Sequence, residues 1–239
     1  MDNTELTSIA ERICTPYGFT EVKAELEPFP ALKITWMRSS DWIHLQVSDF
    51  LAEVPAEIIE DLLTTLMERI MGNMDAENSD RAKECLLSDE FTERNRPLAM
   101  ERNGLIGPEG RKTDLEALAA RYGEGLAVGW TSDTVIHNSK LLRFILVPVV
   151  LDGHDEAVAA VIAHEAAVWR FAEPFKPKGL DVEARCRIAV NEAGLDLGWD
   201  EAQTILKAAS CEDDEEDDYE DDEEDDDDYE DDEEDDDDY

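Results

Sequence analysis

Apolar residues recur along this chain at two spacings, one typical of helices and one typical of strands. Apolar positions three or four residues apart predict helices over residues 4–15, 55–71, 81–87, 114–122, 155–172, 181–191 and 199–209. Alternating or continuous apolar stretches predict strands over residues 31–37, 42–47, 128–131 and 142–150. Because helices outnumber strands, the pattern predicts an α+β fold in which a small β-sheet packs against several helices.

Prolines and glycines add three local expectations. Ser88 is expected to cap a short turn before Arg94–Pro97. Residues 103–112 contain three glycines and a proline, so they are expected to form a loop. Pro148 falls inside the predicted strand 142–150, and a proline donates no hydrogen bond to a neighbouring strand. The sequence therefore predicts an edge position or a bulge at Pro148.

The C-terminal part of the chain has a different composition. Every residue from Glu212 to Asp238 is Asp or Glu except Tyr219 and Tyr229, and residues 217–226 recur unchanged at 227–236. Like charges at this density cannot bury apolar surface, so the segment is expected to be disordered. The chain is thus predicted to consist of a folded part, residues 1–211, and a disordered acidic segment, residues 212–239.

The charge of the chain limits its partners. The formal net charge is −41, and residues 1–211 alone hold 37 acidic against 21 basic side chains. Direct nucleic-acid binding is therefore disfavoured. The acidic segment has two open interpretations: it keeps the chain dispersed, or it engages basic proteins, polyamines or divalent cations.

The sequence gives no sign of export or membrane insertion. The N-terminal residues lack the basic and apolar regions of a signal peptide. No apolar run approaches the roughly 20 residues that cross a bilayer. The four cysteines are scattered and form no Cys-x-x-Cys pair, so neither a cysteine-bound zinc nor a disulfide framework is expected. A reduced, cytoplasmic protein is the resulting expectation.

One predicted helix carries candidate metal chemistry. His164-Glu165 stands where a zinc-protease helix has the first half of His-Glu-x-x-His, in which two imidazoles on one helical face bind a metal and the glutamate polarises a water. Val168 occupies the position of the second histidine. The simpler alternative is that His164 only hydrogen-bonds a neighbouring strand.

The order of the surrounding segments resembles the SprT/YgjP-like zinc metallopeptidases. The pieces that carry the resemblance are Trp42–Leu51 before the helix at Pro55, Ser88–Phe91, Asn95–Leu98 with Glu101-Arg102, Trp130-Thr131, and the strand 142–150 leading into His164-Glu165. The similarity covers roughly residues 36–210. It implies a zincin-like fold of the minigluzincin type, in which a strand lines the substrate groove. In that family the active helix supplies two zinc ligands and the catalytic glutamate, and a third ligand follows on the next segment.

Carried over by position, His164 matches the first zinc ligand and Glu165 the general base. The third ligand is expected near residues 176–181, which contain no histidine. Asp181 or Glu183 offers an oxygen, but either would leave only two protein ligands where catalytic zinc uses three. The remaining histidines, His44, His137 and His154, lie on earlier elements that nothing in their spacing brings to the helix.

These residues predict a protease-like fold without protease chemistry. Glu165 and His164 are then vestiges of a catalytic base and a metal ligand, and no cofactor is expected. The predicted function is a catalytically inactive metallopeptidase-like binding module whose acidic segment engages basic partners. The alternative is an active zinc-dependent peptidase that uses His164 and Glu165 with unconventional ligands, in which case zinc is the cofactor.

Overall fold

The computed structural model of the protein describes residues 1–173, 175 and 179–213. The helices are α1 (Asn3–Cys14), α2 (Ala56–Ile70), α3 (Asp80–Leu87), α4 (Asp89–Arg102), α5 (Leu115–Tyr122), α6 (Asp155–Phe171), α7 (Leu180–Glu192) and α8 (Asp196–Asp213). The strands are β1 (Glu21–Glu27), β2 (Ile34–Arg38), β3 (Trp42–Ser48), β4 (Leu105–Ile106), β5 (Ala127–Thr131), β6 (His137–Ser139) and β7 (Phe144–Pro148). The predicted mixture of helices and strands is confirmed.

The strands form two small sheets rather than the single sheet that was expected. The first has the order β1-β3-β2, with β1 parallel and β2 antiparallel to β3. The second has the order β4-β5-β7-β6, with β5 parallel to β7. Strands β2 and β3 form a hairpin, in which Trp36 pairs with Leu45.

Strand β7 joins the two hydrophobic cores of the molecule. Phe144 and Leu146 belong to the core built from α1, α2 and the first sheet. Ile145 and Val147 belong to the core under α6 and α8. Because alternate side chains of a strand point to opposite faces, β7 is buried on both faces, and α6 is fixed against it.

One of the two expectations at prolines is wrong. Strand β7 lies inside its sheet, but β6 pairs with it over residues 144–146, so Pro148 at the end of the strand pairs on the β5 side alone, which is locally the expected edge position. A turn of 3-10 helix follows. Helix α4 runs through Pro97 in place of the short turn expected after Ser88. Ser88 does cap this helix, accepting from the Phe91 N–H at 3.2 Å. Burial of Phe91 and Ala99 on either side of Pro97 outweighs the one backbone hydrogen bond that the proline removes.

Strands β1 and β6 and the short strand β4 were not predicted from the sequence. In β1, Val22, Ala24 and Leu26 alternate with charged residues, and the high charge hid this period. Strand β6 is only three residues long and polar, and β4 lies within the predicted loop 103–112. Pairing with a neighbouring strand, which is a tertiary effect, forms such short strands.

Helix α8 extends beyond the predicted boundary between the folded part and the acidic segment. It ends at Asp213, two residues into the predicted segment 212–239. The expected disorder of that segment concerns residues 214–239, which lie outside the described residues. Among the helices that the structure describes, none is long and apolar enough to span a bilayer.

Candidate functional site

His164 and Glu165 lie in the middle of α6, the most deeply buried helix of the second core. Alanine and valine dominate this helix, which lets β7 and α8 approach it closely. His164 is only 2% exposed and Glu165 only 8% exposed. A buried polar group must find partners inside the protein, so the contacts of these two side chains decide what the site can do.

Both ring nitrogens of His164 face carboxylate oxygens. Nδ1 lies 2.8 Å from Oε1 of Glu165, and Nε2 lies 3.0 Å from Oε1 of Glu183 on α7. A neutral imidazole has one N–H and one acceptor nitrogen, while an ionised carboxylate only accepts. Two such contacts therefore require a second proton, held on the ring or on one of the carboxyl groups. Either placement leaves at least one of the two hydrogen bonds with an ionised carboxylate as acceptor, which makes that bond charge-assisted.

The ring of His164 also stacks on an aromatic side chain. The Trp199 ring of α8 lies 4.0 Å from the His164 ring, centroid to centroid, at an interplanar angle of 23°. The Arg187 guanidinium of α7 lies 5.6 Å from the centre of the Trp199 ring. His164 thus connects α6 with both α7 and α8.

Glu165 is held by a second partner from the neighbouring sheet. Its Oε2 accepts a hydrogen bond from the Asn138 side-chain amide on β6. The pocket beside these two residues has a volume of about 10 Å³, which is room for about one water molecule. Lys140 and Val168 also line it. Burial lowers the pKa of Lys140, against an opposing attraction from the Glu173 carboxylate.

Val168 stands where the second metal ligand is missing, and the side chains that it contacts towards α7 are apolar as well. Val168 packs beside Ala167, Val182 and Cys186 at the contact between α6 and α7. A histidine there would have to displace this packing before it could approach His164.

The structure brings together three of the residues that the sequence singled out and keeps the others apart. His164, Glu165 and Glu183 are in contact, whereas Asp181 is exposed at the start of α7. The other histidines bind carboxylates elsewhere: His44 contacts Glu25, His137 contacts Asp133 and His154 contacts Glu201. His154 is itself the N-cap residue of α6, ten residues before His164.

Asn138 and Trp199 were not found from the sequence. Asn138 lies 27 residues before Glu165, on a strand that has no apolar period of its own. Trp199 is buried, but nothing in its spacing indicates a contact with His164. Both contacts depend on how distant elements pack.

Gly198 allows α8 to lie close enough for the Trp199 stack. A Cβ at this position would be 2.3 Å from the backbone oxygen of Glu156 on α6. We expect Gly198→Ala to lower the free energy of unfolding by about 2 kcal/mol, since the two backbones must separate. Urea unfolding measures the change. Gly179→Ala is the control, because among the described residues its Cβ meets only the movable side chain of Asp181. An equal loss in both variants would contradict the prediction.

No family model, curated protein or solved structure matches this chain.

Proposed function

We propose that this protein is a non-catalytic binding module with a metallopeptidase-like core, and that its acidic C-terminal segment binds basic partners. The observation that carries the first half is the engagement of both His164 nitrogens by carboxylates, one turn before a valine. The composition of residues 214–239 carries the second half.

The donor set at His164 does not fit catalytic zinc. Such a site needs three protein ligands and an open position for water. Here one imidazole and the Glu183 carboxylate converge, and Val168 offers no donor. Within residues 1–173, 175 and 179–213, no group of three His, Cys, Asp or Glu side chains is arranged to hold a metal ion. The residues present therefore argue for a structural role of His164.

The surroundings of Glu165 argue against a general base. A base has to reach a proton of the substrate or of a bound water. Both carboxylate oxygens of Glu165 are instead engaged, by His164 and by Asn138. The adjoining pocket has room for about one water molecule, so a peptide could not enter it.

The acidic segment supplies the binding chemistry of the proposal. Its carboxylates form a line of charge that attracts lysine- and arginine-rich surfaces over roughly a Debye length, about 8 Å at physiological salt. The folded part is itself acidic, with 37 acidic against 21 basic side chains, so it adds to this attraction and does not oppose it.

Zinc binding tests the first half of the proposal. Purified protein should hold no stoichiometric zinc, and Val168→His should raise zinc affinity by no more than about tenfold, because one new imidazole still leaves the site short of a free third ligand. Equilibrium dialysis with zinc measures both. Val168→Gln is the matched control, since it places a polar side chain of similar size without an imidazole.

Two results would contradict this half. One is stoichiometric zinc in the unmodified chain that disappears in His164→Ala. The other is tight zinc binding after Val168→His alone. Either would favour the alternative of a working zinc peptidase built on His164 and Glu165.

A further inference from the structure

The first sheet has two outer edges, and residues 1–173, 175 and 179–213 cover only one of them. At the β1 edge, Thr7 of α1 accepts from the Ala24 N–H at 3.2 Å and donates to the Ala24 carbonyl at 2.9 Å. Asn3 accepts from the Leu26 N–H at 2.9 Å. Side chains of α1 therefore satisfy the backbone groups that a neighbouring strand would otherwise bind, and this protects the edge from further pairing.

No described residue covers the β2 edge in this way. At the two ends of the strand, the Lys33 carbonyl accepts from the Ser48 N–H and the Ser39 N–H donates to the Trp42 carbonyl, each at 3.0 Å. In an antiparallel pair only alternate residues face the partner strand, so the backbone groups of Ile34, Trp36 and Arg38 point outward. In the described part of the chain no hydrogen bond reaches these groups from any other element. Three N–H donors are thus available along this edge.

Large apolar side chains are exposed beside this open edge. Met37 is 54% exposed, Trp36 43% and Trp42 38%. Met37 and Trp42 stand on one face of the sheet and Trp36 on the other, because side chains alternate along each strand. An aromatic side chain of a bound segment would find apolar contacts on either face.

The β2 edge also carries two cations that contact no carboxylate among the described residues. Lys33 lies 4.3 Å from the centre of the Phe29 ring, and Arg38 lies 5.8 Å from that of Trp36. Neither makes an ion pair with any of the residues that the structure describes. Other cations of this acidic protein are paired with carboxylates, including Arg12, Lys23, Arg81, Lys83, Arg94, Arg102 and Arg143.

We infer that the β2 edge binds the chain's own C-terminal segment, residues 214–239. The segment repeats a tyrosine flanked by acidic residues, at Tyr219 and Tyr229, and Tyr239 follows a further acidic run. Carboxylates only accept hydrogen bonds, so they complement the outward N–H donors and the two cations. The tyrosines complement Trp36, Met37 and Trp42, because aromatic side chains stack favourably.

The length of the segment allows this contact within one molecule. Its 26 residues span up to about 85 Å when extended, whereas a folded part of this size has a radius of gyration of about 17 Å. Tethering holds the segment at an effective concentration of roughly millimolar, so a weak contact suffices. At physiological salt, repulsion from acidic side chains more than about 8 Å away is largely screened. The inference goes beyond the proposed function, since the contact needs no outside partner.

Nuclear magnetic resonance of the tryptophan indole N–H groups tests the contact. We compare the full chain with a truncation after Asp213, which keeps α8 intact. Removing the segment should shift the Trp36 and Trp42 signals and leave those of the buried Trp130 and Trp199 in place. A synthetic peptide of residues 214–239, added to the truncated chain, should restore the original positions.

Charge and aromatic variants identify the surface. Lys33→Glu with Arg38→Glu should weaken binding of the peptide to the truncated chain by at least tenfold. Arg121→Glu is the matched control, because Arg121 also lies beside an aromatic ring, Tyr122, on a distant helix, and it should change the affinity less than twofold. Replacing the three tyrosines of the peptide by serine keeps its charge and should weaken binding at least threefold.

Three outcomes would overturn the inference. The first is identical indole signals in the full and truncated chains. The second is an equal loss of affinity in Arg121→Glu and in the double variant. The third is a shift that depends on protein concentration, which would assign the contact to two separate copies of the chain.

Discussion

Replacing His164 by alanine is expected to lower the free energy of unfolding by about 3 kcal/mol. The ring is 2% exposed, and its removal breaks the hydrogen bonds to Glu165 and Glu183 and ends the stack on Trp199. Leaving the buried Glu165 carboxyl group without one hydrogen-bond partner costs about 1–3 kcal/mol, and the cavity left by the ring adds to this loss. Glu183, which is partly exposed, recovers its own lost contact from water. Urea unfolding followed by far-ultraviolet circular dichroism gives the difference.

His154→Ala is the matched control for this loss. His154 also contacts a carboxylate, that of Glu201 at 2.8 Å, but both side chains are nearly half exposed. An exposed pair of this kind contributes less than about 1 kcal/mol. Equal losses in the two histidine variants would contradict a buried connecting role for His164.

Adding Glu183→Gln to His164→Ala separates the energy of the contact between His164 and Glu183 on α7 from the other effects of removing the His164 ring. If the two side chains act on each other, the double variant His164→Ala with Glu183→Gln is less destabilised than the sum of the single variants, by about 1 kcal/mol. Additive losses would show that the 3.0 Å contact between them contributes no energy.

A chelator tests the alternative in which His164 binds zinc. If His164 held a zinc ion, chelation would lower the stability of the unmodified chain.

All the described helices except α4 could be predicted from the sequence, because their signals are local. Asp114, for example, accepts from the Ala117 N–H at 3.0 Å, and the helix that it caps ends at Tyr122, as the spacing of apolar residues predicted. Helix α6 likewise begins and ends within one residue of its predicted bounds. Caps and periodicity act over a few residues, so one sequence is enough to read them.

The sheets and the contacts of the site could be predicted only in part, because they depend on distant residues. Strand β1 pairs with β3 over a separation of about twenty residues, and its charged side chains conceal its alternation. The sequence placed His164 and Glu165 on a buried helix and named Glu183 as an oxygen donor. It could not place Asn138 or Trp199, since each reaches the site through the packing of a separate element.

The acidic segment gives the second large expected effect. Truncation after Asp213 should weaken binding to a short poly-lysine peptide by at least about 100-fold at low salt, or about 2.7 kcal/mol. The truncation removes residues 214–239, in which all side chains except three tyrosines are acidic, and leaves every described contact of the folded part in place. Isothermal titration calorimetry measures both affinities. The difference should shrink between about 0.1 M and 1 M salt, as the Debye length falls from about 10 Å to about 3 Å.

A charge-neutral segment of the same length separates binding from simple dispersal of the chain. In this control every Asp of residues 214–239 becomes Asn and every Glu becomes Gln, so that the hydrophilic length is kept and the charge is lost. If the segment recruits basic partners, the neutral variant binds poly-lysine as weakly as the truncated chain but stays more soluble than it. If either variant binds poly-lysine as tightly as the unmodified chain, the binding surface lies on the folded part, whose excess of carboxylates is spread over its surface. If the truncated chain binds poly-lysine with unchanged affinity but precipitates, the segment only keeps the protein soluble. Charge that attracts no partner still keeps copies of the chain apart.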